Sequence, residues 1–289
     1  MKKNGGATKL ADDVGSPFRA MGRFVIYLSF TFALMPVQLF ALRFNRKLSI
    51  SLPIFYHRCC CWIMGLQVVS LGQISTARPT LFISNHCSYI DITVLASQLP
   101  ASFVAKSEVA DWPLFGMLAK LQRTVFVERR VSRAAFHRDE MRLRLEQGEN
   151  LIMFPEGTSS DGNRVLPFKS ALFSVAQQDL DGKELVVQPV SIAYTRLDGM
   201  PIGRMLKPYF AWYGDMKMAP HMWILFGLGI CRVEVIFHAP VTLSQYKTRK
   251  GLADHCYDVV SVGVSDANSG RRSDSEKNSP PEMAEASES

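Results

Sequence analysis

Thr80-Leu81-Phe82-Ile83-Ser84-Asn85-His86-Cys87-Ser88-Tyr89-Ile90-Asp91 is the run on which the reading of this chain turns. Its first five residues are apolar-rich and of strand length. The strand delivers Asn85 and His86, and a carboxylate follows five residues after the imidazole. Five residues is not an in-register helical spacing. The pair meets if His86 lies in the turn before a helix and Asp91 in that helix's first or second turn. A strand, a turn and then a helix is the repeating unit of an α/β domain, where reactive residues collect on loops at strand ends.

Outward from that run, short apolar segments alternate with helical patterns. Ser102–Ala105, Thr124–Val127, Asn150–Phe154, Leu185–Ala193 and Arg232–His238 read as further strands, rich in Val, Ile, Phe and Leu. Residues 131–147 predict the clearest helix: Ser132 caps it, Ala135, Phe136, Met141 and Leu145 offer an apolar stripe, and Gly148 stops it. Phe168–Gln178 predicts another. The alternation predicts an α/β domain over residues 71–262, with a mixed, largely parallel sheet flanked by helices. Residues 1–20 read as a flexible basic arm. Residues 263–289, rich in Ser, Glu, Pro and Asn, read as a disordered tail.

A neutral imidazole takes a proton from an alcohol near pH 7, and a carboxylate beside it fixes its tautomer and stabilises the imidazolium. His86 and Asp91 therefore read as a general base and its orienting acid. The competing reading is a structural histidine beside a helix start capped by Ser88. A second block, Phe154-Pro155-Glu156-Gly157-Thr158-Ser159, ends another strand in a turn. Gly157 permits close backbone approach, and free N–H groups there suit an anion. Glu156 is an odd companion for an anion; it would accept from a substrate hydroxyl or hold an arginine. Read alone, the block is an ordinary strand-to-loop turn. In Phe126-Val127-Glu128-Arg129-Arg130 two guanidiniums stand just past a strand. Arg129 is the chosen anion ligand, and Lys106, after another strand, is a weaker candidate. Ser159, Ser88 and Cys87 are the candidate covalent nucleophiles, but no Gly-x-Ser-x-Gly elbow is present. The blocks together suggest a hydroxyl attacking an acyl group on a phosphate-bearing substrate.

The chain has 289 residues and a formal net charge of +7. Residues 265–289 hold three basic groups against six acidic ones, so the basic excess sits in the body. Such a body suits nucleic acid, anionic lipid headgroups or phosphorylated substrates. Phe24–Leu42, uncharged and bounded by Arg23 and Arg43, favours the lipid surface and no nucleic acid. Its length fits a membrane span, though Pro36 and Gln38 interrupt it. Lys47–Val69 is apolar apart from His57 and Arg58. Three readings of residues 21–70 stand open: a true span, a helical hairpin dipping into one leaflet, and a buried soluble helix. Lys2, Lys3, Lys9, Arg19 and Arg23 before the run, with Arg43, Arg46 and Lys47 after it, favour cytoplasmic ends and suit the hairpin. The six cysteines form no Cys-x-x-Cys pair and read as reduced, buried thiols.

On these residues the chain resembles the glycerolipid acyltransferase family, specifically the bacterial 1-acylglycerol-3-phosphate acyltransferases. Four blocks stand in the family's order: Asn85-His86 through Asp91; Phe126-Val127-Glu128-Arg129; Phe154-Pro155-Glu156-Gly157-Thr158; and Pro189-Val190 within an apolar run. The resemblance covers about residues 70–240. It implies His86 as the base and Asp91 as its support, with direct attack of the acceptor hydroxyl on acyl-CoA or acyl-carrier protein. It further implies Arg129, Glu156 and Gly157 at the glycerol-phosphate, Asn85 and Thr158 within the blocks that contact substrate, and Pro189 toward the acyl donor. It also implies an N-terminal membrane-associating helical pair on the cytoplasmic face of the inner membrane. The product would be phosphatidic acid, made from lysophosphatidic acid. No metal or tightly bound cofactor is expected, since His86, the arginines and backbone N–H groups handle the charge. Two departures stand out. Arg123 occupies a position often held by glycine, and would add a cation beside the site. Gln188 precedes Pro189 where valine is usual. Arg123 leaves room for another acceptor, such as lyso-ornithine lipid. A non-catalytic lipid-binding protein is the third reading, against which both His86 and Asp91 are intact. Trp212-Tyr213-Gly214-Asp215-Met216 either shapes the acceptor pocket or is a plain loop.

Overall fold

Apolar runs too short for helices account for the sheet. In the computed structural model, which describes residues 15–127, 134–177 and 183–271 (backbone only for 134–139), eight strands pair into one sheet. They are β1 Leu66–Leu71, β2 Thr80–Ser84, β3 Ala101–Lys106, β4 Val125–Val127, β5 Asn150–Met153, β6 Val186–Leu197, β7 Met200–Pro201 and β8 Cys231–Phe237. Their order is β1-β8-β6-β2-β5-β3-β4, with β7 on β6. The pairs from β6 through β4 are parallel, as is β1 with β8, and β6 with β8 is antiparallel. The sheet is thus mixed and largely parallel, as expected.

All residues of β2 and β5 are buried, so both faces of the sheet need cover. Strand alternation divides the core in two. Phe82 and Ile152 face one layer with Phe103, Leu95 and Phe226. Leu81, Ile83, Leu151 and Met153 face the other with Leu145, Phe173 and Leu252. The first layer is covered by α1 Pro17–Phe44, α2 Arg46–Met64, α3 Ile90–Gln98 and α6 Met218–Gly227, with α4 Phe115–Leu121 alongside. The second is covered by α5 Ala134–Glu146 and α7 Arg249–Ser269.

The expected helical pair is present. Asn45 alone separates its members: its N–H donates to Ala41 O, ending α1, and its side chain accepts from Leu48 N–H at 3.0 Å, starting α2. α1 is long and apolar enough to cross a membrane, and only 22% of its most apolar window is buried. Phe18, Phe32, Phe40 and Phe44 of α1 and Phe55 and Trp62 of α2 face outward. Arg19 and Arg23, read from the sequence as topogenic charges, serve as caps. Arg19 donates to Gly227 O at 2.8 and 3.0 Å, and Arg23 to Phe226 O and Leu228 O. They satisfy orphan carbonyls at the C-terminus of α6, where positive charge is favoured.

Several expected boundaries shift. Helix α1 starts at Pro17, with Ser16 accepting from Arg19 N–H, so the arm's last residues are helical and residues 1–14 lie outside the described part. The apolar segment does not stay helical to Val69. Gly65, at φ 75°, ends α2, and the β-branched pair Val68 and Val69 joins β1 beside Val233 and Glu234. Residues 263–269 are helical. Val260, Val264 and Ala267 are spaced at helical period and buried, so α7 continues to Ser269 and Gly270 closes it. Met141 and Leu145 of α5 are buried, whereas Ser132 and the side chains of Ala135 and Phe136 lie outside the described residues. Phe168–Gln178 holds a 3-10 helix, Ser170–Gln177, where Phe173 and Ala176, three apart, both pack inward.

Candidate active site

The turn after β2 is clamped before it reaches any reactive atom. Asn85 is 4% exposed; its Oδ1 accepts from Ile192 N–H at 2.8 Å and its Nδ2 donates to Ile192 O at 3.0 Å. His86 N–H donates to Glu156 Oε1 at 2.7 Å. Helix α3 then begins, with Asp91 in its first turn. Asp91 is fully buried, and Oδ2 accepts from His86 Nδ1 at 2.9 Å and from the N–H groups of Cys87 and Ser88 at 2.7 and 2.8 Å. Tyr194, on β6, donates its hydroxyl to Oδ1 at 2.7 Å. The five-residue spacing thus closes as expected. Ser88 is not the cap: its buried hydroxyl has no partner, and Asp91 reaches back to take the free amides instead.

A carboxylate only accepts, so Nδ1 of His86 carries the proton and Nε2 presents a lone pair. The His86 side chain keeps 21% of its surface exposed. Its ring stacks on Phe154 at 4.2 Å, and Phe154 stacks on Phe103.

Glu156 is 2% exposed and accepts from His86 N–H and Leu166 N–H. Burial pushes its carboxyl up to about 8, against the pull of those two amides. The side chain braces two loops from inside the protein. Gly157 has φ 66°, and a Cβ there would lie 2.6 Å from Lys169 Nζ. Lys169, which the sequence reading missed, therefore spans the glycine turn; only its distance along the chain hid it. Thr158 is exposed on the same turn, and Lys106 is half-buried at the end of β3. Pro189 is buried in β6 opposite Ile83 and accepts from His238 N–H. Arg129 lies outside the described residues.

Trp212 is not part of a plain loop. Its N–H donates to Cys87 O at 2.7 Å and its carbonyl accepts from the Ser159 hydroxyl at 2.5 Å, while Ser160 N–H donates to His86 O. The histidine turn and the glycine turn are stitched together through it. Gln188 also has a local job, bonding Ser75 N–H, Gln73 O and His238 O. Arg123 is not beside the site. It precedes β4 and binds Glu149, whereas His86 follows β2, and β2 and β4 lie in the parallel part of the sheet. The two residues therefore stand at opposite ends.

An apolar cavity of about 170 Å³ lies between the helical pair, α3 and α4. Its wall includes Tyr89, three residues from His86, and Phe103, which reaches His86 through Phe154. Leu34, Met35, Leu118 and Phe226 continue the wall. At the far end, His57 meets Gln122 at 3.2 Å, and Gln38 donates to Ser49 O and Leu121 O.

The acyltransferase family signature matches residues 65–193. The chain is 43% identical to a lyso-ornithine lipid O-acyltransferase of Brucella abortus, over 78% of this chain and 86% of the relative. It is 39% identical to the protein of the same name in Rhizobium meliloti, over 86% of each. With a 1-acyl-sn-glycerol-3-phosphate acyltransferase of Neisseria gonorrhoeae it shares 29% over 70% of this chain and 76% of the relative. The crystal structure of the 1-acyl-sn-glycerophosphate acyltransferase PlsC from Thermotoga maritima superposes with a TM-score of 0.61 at 21% identity. That match covers 85% of this chain and 96% of PlsC, and it supports the mixed-sheet fold. A buried carboxylate orienting a part-exposed imidazole beside an apolar cavity fits these likenesses, and the chain belongs to the acyltransferase family.

Proposed function

We propose that this chain moves a fatty acyl group from a thioester donor, acyl-CoA or acyl-carrier protein, to the free hydroxyl of a lyso-ornithine lipid, with His86 as general base. The observation that carries the chemistry is the His86 Nδ1–Asp91 Oδ2 bond of 2.9 Å, with Nε2 left for the acceptor. What favours lyso-ornithine lipid is the higher identity to relatives so named, 43% and 39%, than to the Neisseria relative, 29%. The sequence reading had put lysophosphatidic acid first.

In this reading Nε2 takes the hydroxyl proton as the oxygen bonds the thioester carbonyl carbon. Asp91 stabilises the imidazolium. The tetrahedral oxyanion collapses, the C–S bond breaks, and the thiol leaves with the proton returned by His86. The apolar cavity takes hydrocarbon; a dry cavity of about 150 Å³ is known to hold a benzene ring. Lys106, Arg129 and the turn Gly157-Thr158 hold the anionic end of the acceptor, with Lys169 above Gly157. Asn85, Glu156 and Pro189 act by bracing that constellation. The outward apolar residues of α1 and α2 seat the enzyme on the cytoplasmic face of the inner membrane.

Lysophosphatidic acid remains a second acceptor, because the Lys169 ammonium over the glycine turn suits phosphate as well as carboxylate. Purified protein given each acceptor with each donor tests both. Ester formation faster on lyso-ornithine lipid supports the main reading. Transfer to 1-acylglycerol-3-phosphate alone overturns it.

A further inference from the structure

At the end of the sheet opposite His86 lies a hollow of about 230 Å³ with mixed polar and apolar walls, formed by the starts of β3 and β5, the first turns of α2 and the Gln147–Glu149 turn. Arg46, Arg78 and Arg123 line it, and among the described residues Glu149 is the only carboxylate in its lining. Glu149 receives three guanidiniums. Arg46 reaches Oε1 at 3.3 Å, Arg123 binds the same oxygen, and Arg144 reaches Oε2 at 2.9 Å. Three guanidiniums thus share one carboxylate, and Arg78 lines the same hollow, so positive charge exceeds negative charge among its described lining residues. Arg123 holds its place with φ 63°, a left-handed backbone that non-glycine residues seldom adopt. Its side chain is only 17% exposed. Guanidiniums gathered and pre-oriented in this way match a phosphate, which they bind through paired N–H groups.

The setting of the hollow selects the source of that phosphate. Arg46 opens α2, immediately after the hinge at Asn45. Phe40 and Phe44, at the tip of α1, are 59% and 67% exposed, and Arg43 stands over the Phe44 ring at 5.1 Å. Ile50 and Ile54 of α2 line the hollow itself. An anionic centre thus adjoins an apolar tip, as a phospholipid requires. We propose that this hollow binds the phosphate headgroup of an anionic membrane lipid, as a second lipid site remote from the transfer centre, with the lipid's chains along the α1–α2 tip.

Flotation of the full chain with vesicles tests this without any acyl donor, so failure of the transfer assay leaves it standing. Wild type should bind phosphatidylcholine vesicles containing phosphatidylglycerol at least tenfold tighter than phosphatidylcholine alone. The double variant Arg46→Gln, Arg78→Gln removes two exposed side chains. It should lose roughly fivefold per guanidinium, about 25-fold in all. Arg249→Gln with Lys250→Gln makes the same charge change at the start of α7, on the other face of the sheet, and should lose less than threefold. Equal losses in the two double variants would reduce the effect to bulk charge and overturn the site. Retained binding in the first would overturn it too. Saturation of the hollow by inorganic phosphate at micromolar concentration, with vesicle binding unchanged, would make it a free-phosphate site and overturn the lipid assignment.

Discussion

The turns after β2 and β5 occupy equivalent places, at the same end of two adjacent parallel strands, yet they use their carboxylates in opposite ways. Asp91 collects three hydrogen bonds on one oxygen and the Tyr194 hydroxyl on the other, and passes the resulting order to an imidazole with a free nitrogen. Glu156 collects two amides and touches no reactive atom. In the first turn that order reaches a side chain which, in the proposed reading, supplies the chemistry. In the second the side chain is scaffold and the Gly157 N–H, expected from the sequence to be free for an anion, is taken by Phe154 O; what faces outward is Thr158 and the arching Lys169. The lesson is that a carboxylate inside a reactive block need not meet substrate.

The strongest way to break that contrast is His86→Ala. Loss of a general base should cut kcat by about 10²–10⁴, while the melting temperature stays within a degree or two, since the ring is only part-buried. Near-normal turnover would remove the base. Tyr194→Phe sharpens the contrast more gently. It deletes one donor to Asp91, and a hydrogen bond to a charged group is worth about 1.5–3 kcal/mol. We expect kcat to fall roughly tenfold with KM unchanged and a displaced pH–rate profile; an unmoved profile would make Tyr194 plain packing.

Gly157→Ala forces a side chain into a left-handed position against Lys169, and should cost about 1–3 kcal/mol of stability by the usual range for strained backbone. It should raise acceptor KM more than it lowers kcat. Glu156→Gln should give the smallest effect on turnover, with its signature in pH. The native carboxyl titrates near 8 and the unfolded one near 4.5. Between those values the folded protein holds the extra proton, so wild-type stability falls as pH rises through the window. The glutamine variant should lack that slope. Parallel melting curves from pH 5 to 9 would show that burial does not raise this carboxyl in the folded protein.

Much of the transfer end was legible in sequence because its parts are local. Thr80–Ser84 carries the apolar centre Leu81-Phe82-Ile83, the His86–Asp91 spacing demands a turn and a helix start, and both were found there. The remainder depends on partners distant in the chain. Tyr194 meets Asp91 across 103 positions, and Lys169 reaches Gly157 through a loop with no periodic signal. Arg123 misled for a different reason. Adjacency to Phe126 and Arg129 brings it close in sequence, but residues before and after a strand exit at opposite ends of a sheet. Helix α7 escaped because Ser, Asp and Asn dominate the composition of its last turns, although Val260, Val264 and Ala267 keep the period.

Helix α1 presents two faces with different duties. Tyr27, Thr31, Leu34, Met35 and Gln38 line the apolar cavity, while Val25, Phe32, Leu39 and Phe40 look outward. Arg19 and Arg23 bolt its beginning to α6, and Gln38 ties its later half to α2 and to the end of α4. The same rod is therefore both hull and inner lining. Whatever presses on it from outside, thicker or thinner, stiffer or softer, must be felt as a change in the shape offered to a guest within.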